Sequence, residues 1–253
     1  MRVLECKKID NENFDNITYI RIEPEDLSVT ISDILVSLSD LSWIAKFDQS
    51  YIRNSFLKRA KDTANYLANK ILKEDEDTIT EDSGEYVVSE LARETLVSEL
   101  DYMDIPLAEL FKEQVSGNPG FDFYSANKEK IIIFGEAKYS SKRNAYGVGM
   151  EQVDRFIREE QDLSDLNDID KFFEQESLML ADRGEKAYAI AFASKGTASD
   201  MIIKGIINNK HYKNESYEYT CKYRHGFCIC QISSINPLCH GIFLIPVIHN
   251  SMC

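Results

Sequence analysis

The chain of 253 residues suits one moderately large domain, or a core with a smaller attachment, and its 43% hydrophobic content is enough to fill a core. A formal net charge of −14 is unexpected in a protein that grips nucleic acid, yet a local basic patch dominates within a Debye length of about 8 Å, so global charge alone excludes little. No apolar stretch approaches the ~20 residues that cross a bilayer, and MRVLECKKIDNENF lacks the apolar region of a signal peptide, so a cytoplasmic protein without a membrane partner is expected.

Short strands are predicted at Val3–Cys6, Ile17–Ile22 and Ser28–Ile31, with Pro24 as punctuation. Trp43, the single tryptophan, reads as an anchor in a core or partner surface. Asp48–Lys73 is helical, with Ile52, Phe56, Leu57, Ala60, Ala64, Leu67, Ala68 and Ile71 recurring at helical spacing. Its other face carries Arg53, Lys58, Arg59, Lys61 and Lys70, a face that touches DNA or is simply solvated. The acidic run Glu74–Asp82 opposes the helix dipole and reads as an exposed loop, which divides a candidate partner-binding region, 1–81, from a core, 82–253. A second helix from about Gly84 to Tyr102 has the apolar stripe Val88, Leu91, Ala92, Thr95, Leu96 and Leu100; Asp104-Ile105-Pro106 breaks it, and Leu107–Gln114 forms a short helical turn.

Gly117–Gln152 carries the chemistry. Asn118-Pro119-Gly120 turns into the aromatic strand Phe121-Asp122-Phe123-Tyr124, and Ser125–Lys130 has the length of a hairpin connection to the apolar strand Ile131–Phe134, which runs on into Gly135-Glu136-Ala137-Lys138. Period two puts Glu136 and Lys138 on one face, and antiparallel pairing brings Asp122 to them. Two carboxylates bind a hard divalent cation through oxygen, and a lysine beside them orients a water or neutralises charge growing on a phosphate. Surrounded by carboxylates, Lys138 stays charged and acts as an electrostatic stabiliser, not a base. Roughly one Glu-x-Lys triplet arises by chance in such a chain, and Glu5-Cys6-Lys7, which lacks an upstream aspartate hairpin, is read as that accident.

After Lys138, Tyr139–Val148 is rich in serine, basic residues and glycine and suits phosphate contacts. Lys128, Lys130, Lys138, Lys142, Arg143, Arg155 and Arg158 form the expected basic patch, with Lys142, Arg143 and Arg155 the candidate nucleic-acid-binding residues. Met150–Glu160 is a helix with Val153, Phe156 and Ile157 inward. Leu163–Ala181 is acidic and helical, read as a solvated face, and Lys186–Ala193 is a second buried strand followed by a helix through Asn208. Beyond Asn209, Gly226–Ile232 and Gly241–His249 look like further strands, and Tyr212, Tyr217, Tyr219 and Tyr223 read as packing residues before base-stacking ones. His211, His225, His240 and His249 show no nucleophile spacing. Cys221, Cys228, Cys230, Cys239 and His240 lack paired zinc-ribbon spacing and read as buried thiols, with zinc as the alternative. No phosphate-cradling loop appears, which argues against NTPase activity within this chain.

Phe121-Asp122, the Ile run and Glu136-Ala137-Lys138 together resemble the PD-(D/E)xK motif of restriction-endonuclease-like nucleases, with an aromatic residue where the leading proline usually stands. More narrowly, GNPGFDFYS and IIIFGEAKYSS resemble the nuclease subunit of Hachiman-type antiphage defence systems, over about Ser83–Gly205. The resemblance implies an α/β (α+β) fold with a mixed sheet flanked by helices, Mg²⁺- or Mn²⁺-dependent cleavage of DNA, and a helicase partner. It also implies a carboxylate on the helix before the hairpin, for which Gly84-Glu85 fits best, with Glu90 and Glu94 as competitors, and a glutamine on the helix after it, Gln152. A glutamate or glutamine on a helix is otherwise ordinary solvated surface. A non-catalytic adaptor that restrains or targets a helicase is the alternative of a different class.

Overall fold

The computed structural model describes residues 1–11, 14–72, 81–112, 120–140, 144–194, 198–211, 226–233 and 242–244. Its N-terminal strands β1 (Arg2–Asn11) and β2 (Phe14–Glu23) form an antiparallel hairpin, and β2 buries Ile17, Tyr19, Ile20 and Ile22. Ser28–Ile31, expected as a strand, lies instead in helix α1 (Leu27–Ser39). The Asp26 carboxylate accepts the Val29 amide at 3.1 Å and so caps the first turn, which outweighs the β-branched local sequence. Thr30, Ile34 and Leu38, at a four-residue repeat, form its buried face.

Residues 27–46 are long and apolar enough, by length and composition, to cross a membrane, contrary to the sequence expectation. They do not form one continuous helix: α1 stops at Ser39, Asp40 is extended, and a 3₁₀ helix follows at Ser42–Lys46. Helix α2 (Ser50–Leu72) buries Phe56, Ala60, Ala64 and Leu67, whereas Leu57, placed on the same stripe by sequence, is 48% exposed. Trp43 is buried among Phe56 (5.5 Å between ring centres), Phe172 (5.7 Å) and Phe47 (6.2 Å), a core anchor as expected.

Helix α3 (Glu81–Leu100) buries Val87, Val88, Leu91, Ala92, Thr95 and Leu96. A four-residue helix α4 (Ala108–Phe111) leads to strands β3 (Phe123–Ala126) and β4 (Ile132–Lys138). Helices α5 (Ala145–Arg158), α6 (Gln161–Ile169) and α7 (Gln175–Asp182) cross over to β5 (Lys186–Ser194), and α8 (Ser199–Ile207) precedes β6 (Gly226–Ser233) and β7 (Ile242–Leu244). Helix α5 starts five residues before the expected Met150, because Asn144 caps it through the Gly147 amide; Ala145–Val148 are therefore helix and not loop.

Among the described residues, the strands form one seven-stranded mixed sheet in the order β1-β2-β7-β6-β5-β4-β3. The β4–β5 and β5–β6 pairs are parallel, as helical crossovers require, and β3–β4 is an antiparallel hairpin. Successive residues of β4 and β5 are buried whichever way they alternate, so both faces of the sheet's centre are covered. The architecture is mixed α/β. The boundary expected at 81/82 does not divide the sheet, because β2 pairs with β6 (Thr18 opposite Cys228) and with β7 (Arg21 opposite Phe243).

Candidate active site

The hairpin register sets Phe123 opposite Gly135 and Ser125 opposite Ile133. A Cβ at Gly135 would overlap the Phe123 ring, so glycine is what lets the ring cross the neighbouring strand. The connection is shorter than expected: Ser125 and Ala126 belong to β3, and Asn127 closes the turn by accepting from the Ile131 amide at 2.9 Å. At the other end of the hairpin, the Asp122 amide donates to Gly135 O (2.8 Å) and the Asp122 carboxylate accepts the Ala137 amide (2.7 Å). That pair of bonds fixes the aspartate beside Glu136.

Glu136 is 0% exposed, and neither of its carboxylate oxygens accepts a hydrogen bond. Lys138 Nζ stands 2.7 Å from Glu136 Oε1, an ion pair by distance that lacks hydrogen-bond alignment, and 3.2 Å from Glu85 Oε1 on α3. Glycine at position 84 makes the approach of α3 possible, since a Cβ there would overlap the Tyr139 ring. The expected quartet of Asp122, Glu136, Lys138 and Glu85 is thus brought together by two hairpin strands and the N-terminal part of one helix.

The electrostatics follow from burial. Desolvation, reinforced by the charge of Asp122, pushes the Glu136 carboxyl well above its ordinary range. Burial also raises Asp122, against the pull of Lys138 and the Ala137 amide. Glu85 is pushed up to about 7, first by burial and then by Asp122, with Lys138 opposing. Burial works against the charge of Lys138, but Glu136, Asp122 and Glu85 outweigh it and hold its pKa above the ordinary value. The lysine is a fixed ammonium.

Sequence reasoning missed Glu109 on α4. Its Oε2 is buried without a hydrogen-bond partner, and burial, followed by the charge of Asp122, pushes its carboxyl up to about 8. A four-residue helix has no periodicity to mark its inward side.

The other candidates are placed differently. Glu90 accepts two bonds from Arg93 (2.9 and 2.6 Å) and one from Ser37, so its carboxylate faces α1. It lines a cavity of about 100 Å³ with Trp43 and Arg93 that Asp122, Glu136 and Lys138 do not reach. Glu94 is pushed up to about 7 by burial and then by Glu90. Gln152 is half-buried on α5, one turn beyond Gly149, where a Cβ would stand 3.5 Å from Lys138 Cγ. Arg155 is exposed on the same helix, 4.0 Å from Glu159.

The expected basic patch is divided. Lys128 pairs with Asp101 (2.8 Å) and Lys130 with Glu174 (2.9 Å) at the turn end of the hairpin, away from the carboxylates. Lys142 and Arg143 lie outside the described residues. So do Cys221, Cys239, His225, His240, His249 and Tyr212, Tyr217, Tyr219 and Tyr223; Cys228 and Cys230 fall in β6 as expected.

Among the described residues, no three His, Cys, Asp or Glu side chains are drawn together tightly enough to cage an ion. At this site the ammonium of Lys138 lies within ion-pair distance of both Glu136 and Glu85. The donor chemistry nevertheless suits a hard divalent cation: it is all carboxylate oxygen, and neither oxygen of Glu136 accepts an aligned hydrogen bond, the Lys138 ammonium standing 2.7 Å from Oε1. A scan of the chain against protein-family models matches none, and neither the curated proteins nor the solved structures yield a significant match.

Proposed function

We propose that the chain is a metal-dependent nuclease that hydrolyses DNA phosphodiester bonds. The single observation that carries this reading is Glu136, a fully buried carboxyl with no hydrogen bond to either oxygen, beside Asp122, Glu85 and a charged lysine. Burying a carboxyl that accepts no aligned hydrogen bond is costly even with an ammonium beside it, which favours a use for Glu136 beyond packing. Asp122, Glu136 and Glu85 would hold Mg²⁺ or Mn²⁺, which supplies a more acidic water and neutralises phosphate charge. Lys138 then aims a fixed positive charge at the oxygens where negative charge develops as phosphorus is attacked, and removing one such stabiliser typically costs ~10²–10³ in rate.

The chain's resemblance to PD-(D/E)xK nucleases, and more narrowly to the Hachiman nuclease subunit, supports a DNA substrate, a restriction-endonuclease-like core and a helicase partner in an antiphage complex. With no phosphate-cradling loop in the sequence, unwinding falls to that partner. The test is incubation of supercoiled plasmid and linear DNA with the full chain and Mg²⁺, Mn²⁺ or EDTA, in wild type and Glu136→Ala. Metal-dependent cleavage that disappears in the variant is the expected result. Absence of cleavage by the wild type, alone and with its helicase, together with undiminished defence by the variant, would instead assign the chain the role of an adaptor.

A further inference from the structure

We propose that the outer edge of β1 is the contact surface for a second copy of this chain: two β1 strands pair antiparallel about Cys6 and join two sheets into one. The contact is independent of the nuclease reading.

The two edges of the sheet are finished differently. At one end β3 has four residues, and chain from outside the sheet closes on it: the Met103 amide donates to Ala126 O (2.9 Å) and Ser125 Oγ donates to Met103 O (2.7 Å). At the other end β1 has ten residues, and among the described residues only β2 pairs with it. An edge of that length presents a row of backbone amides and carbonyls, which is a template for another strand. β1 also stands clear of the body. None of residues 1–9 is buried, whereas Ile17, Thr18, Tyr19 and Ile20 on β2 all are, so a strand can approach from outside without displacing packed side chains.

The sequence selects both the partner and the register. From Glu5 to Ile9 the residues of β1 step one for one along β2, so this stretch is regular strand between two irregularities. A two-fold axis relating antiparallel neighbours sets one residue against its own copy, with the flanking positions exchanged. Centred on Cys6, it sets Glu5 against the second copy's Lys7, and does so twice. Centred on Glu5 or on Lys7, it would set like charges against each other, which destabilises the pair. Glu5 and Lys7 already pair along one strand. The Cys6 register therefore builds a ring of four charges in which every neighbour has the opposite sign. Opposed Cα atoms of antiparallel strands lie about 4.5–5.5 Å apart, within the span of a disulfide, and Cys6 is an exposed free thiol, so the axis carries its own reporter. At long range the charge of −14 on each copy opposes association. Physiological salt, with a Debye length of about 8 Å, screens that repulsion and leaves the contact pairs.

The test is sedimentation velocity of the full chain at physiological salt with reductant, from micromolar to submillimolar concentration, beside copper-phenanthroline oxidation without reductant followed by peptide mapping. Wild type, Cys6→Ser, Glu5→Lys, Lys7→Glu and the double exchange Glu5→Lys/Lys7→Glu are compared, with circular dichroism checking the fold of each. Wild type and Cys6→Ser are expected to dimerise as concentration rises, and oxidised wild type to yield a Cys6–Cys6 link. Each single reversal sets like charges together at two places and should weaken dimerisation by about tenfold or more. The double exchange should restore it, which simple damage to β1 would not produce. A wild-type chain that stays monomeric at every concentration and gives no Cys6–Cys6 link would overturn the proposal, as would a dimer of unchanged strength in both single variants.

Discussion

Two groups of buried acids flank the β3–β4 hairpin, and they differ in one respect. Asp162 and Asp165 on α6 are each 2% exposed, and every one of their carboxylate oxygens has a partner. Asp165 accepts Tyr124 Oη (2.5 Å), the Phe121 amide (3.1 Å) and Gln161 (3.0 Å) and pairs with Lys112; Asp162 accepts the Leu163 amide (2.9 Å) and Tyr188 Oη and pairs with Lys186 (2.6 Å). Glu136 and Glu109, by contrast, keep three enclosed oxygens with no hydrogen bond, Glu136 having only the Lys138 ammonium beside it. Burial alone therefore does not mark a functional carboxylate. Donors that the fold leaves ungiven do, because a stable protein seldom leaves such groups unpaired without a use for them.

The contrast predicts opposite outcomes for similar substitutions. Glu136→Gln should reduce DNA cleavage by ~10²–10³ or more while leaving the metal-free thermal midpoint unchanged or higher. A fall in both would move Glu136 into the structural group. Asp165→Asn should behave in reverse, losing ~3 kcal/mol in urea unfolding because Lys112 loses its opposing charge and the amide nitrogen faces a donor, either Gln161 or Tyr124. Preserved stability would erase the distinction between the clusters.

A smaller effect is expected from pH. Glu85 and Glu109 titrate near about 7 and about 8 in the fold, against an ordinary 4.5. At these two positions the folded state holds protons that the unfolded chain has already released, so their contribution to stability is greatest below 4.5 and is lost as pH rises through those folded values. In EDTA the thermal midpoint should decline over that window, and Mn²⁺ should flatten the decline; a pH-independent midpoint in EDTA would contradict the account. Arg155→Ala, at an exposed position, should weaken DNA binding uniformly and lower the salt slope by about one, with little change in stability.

The hairpin was legible because strand periodicity alone sets Glu136 and Lys138 on one face, and the register brings Asp122 across to them. Glu85 was indicated by the family resemblance, through its preceding glycine, whose missing side chain admits the Tyr139 ring. The structural acids were not. Asp162 and Asp165 sit in an acidic run that looks solvated, and the hydroxyls that satisfy them come from Tyr188 and Tyr124, 26 and 41 residues away. The same limit hid the joining of β2 to β6 and β7, a pairing across most of the chain length, and so led to a domain boundary that the sheet does not respect. Ser28–Ile31 failed for a local reason, since β-branched composition pointed to a strand while Asp26 started a helix.

The most direct test is anomalous diffraction from crystals soaked in Mn²⁺. The account predicts a peak within bonding reach of Asp122 and Glu136 oxygens, with the Lys138 ammonium displaced from Glu136. No peak at that position, or one at Asp162 and Asp165 instead, would contradict it.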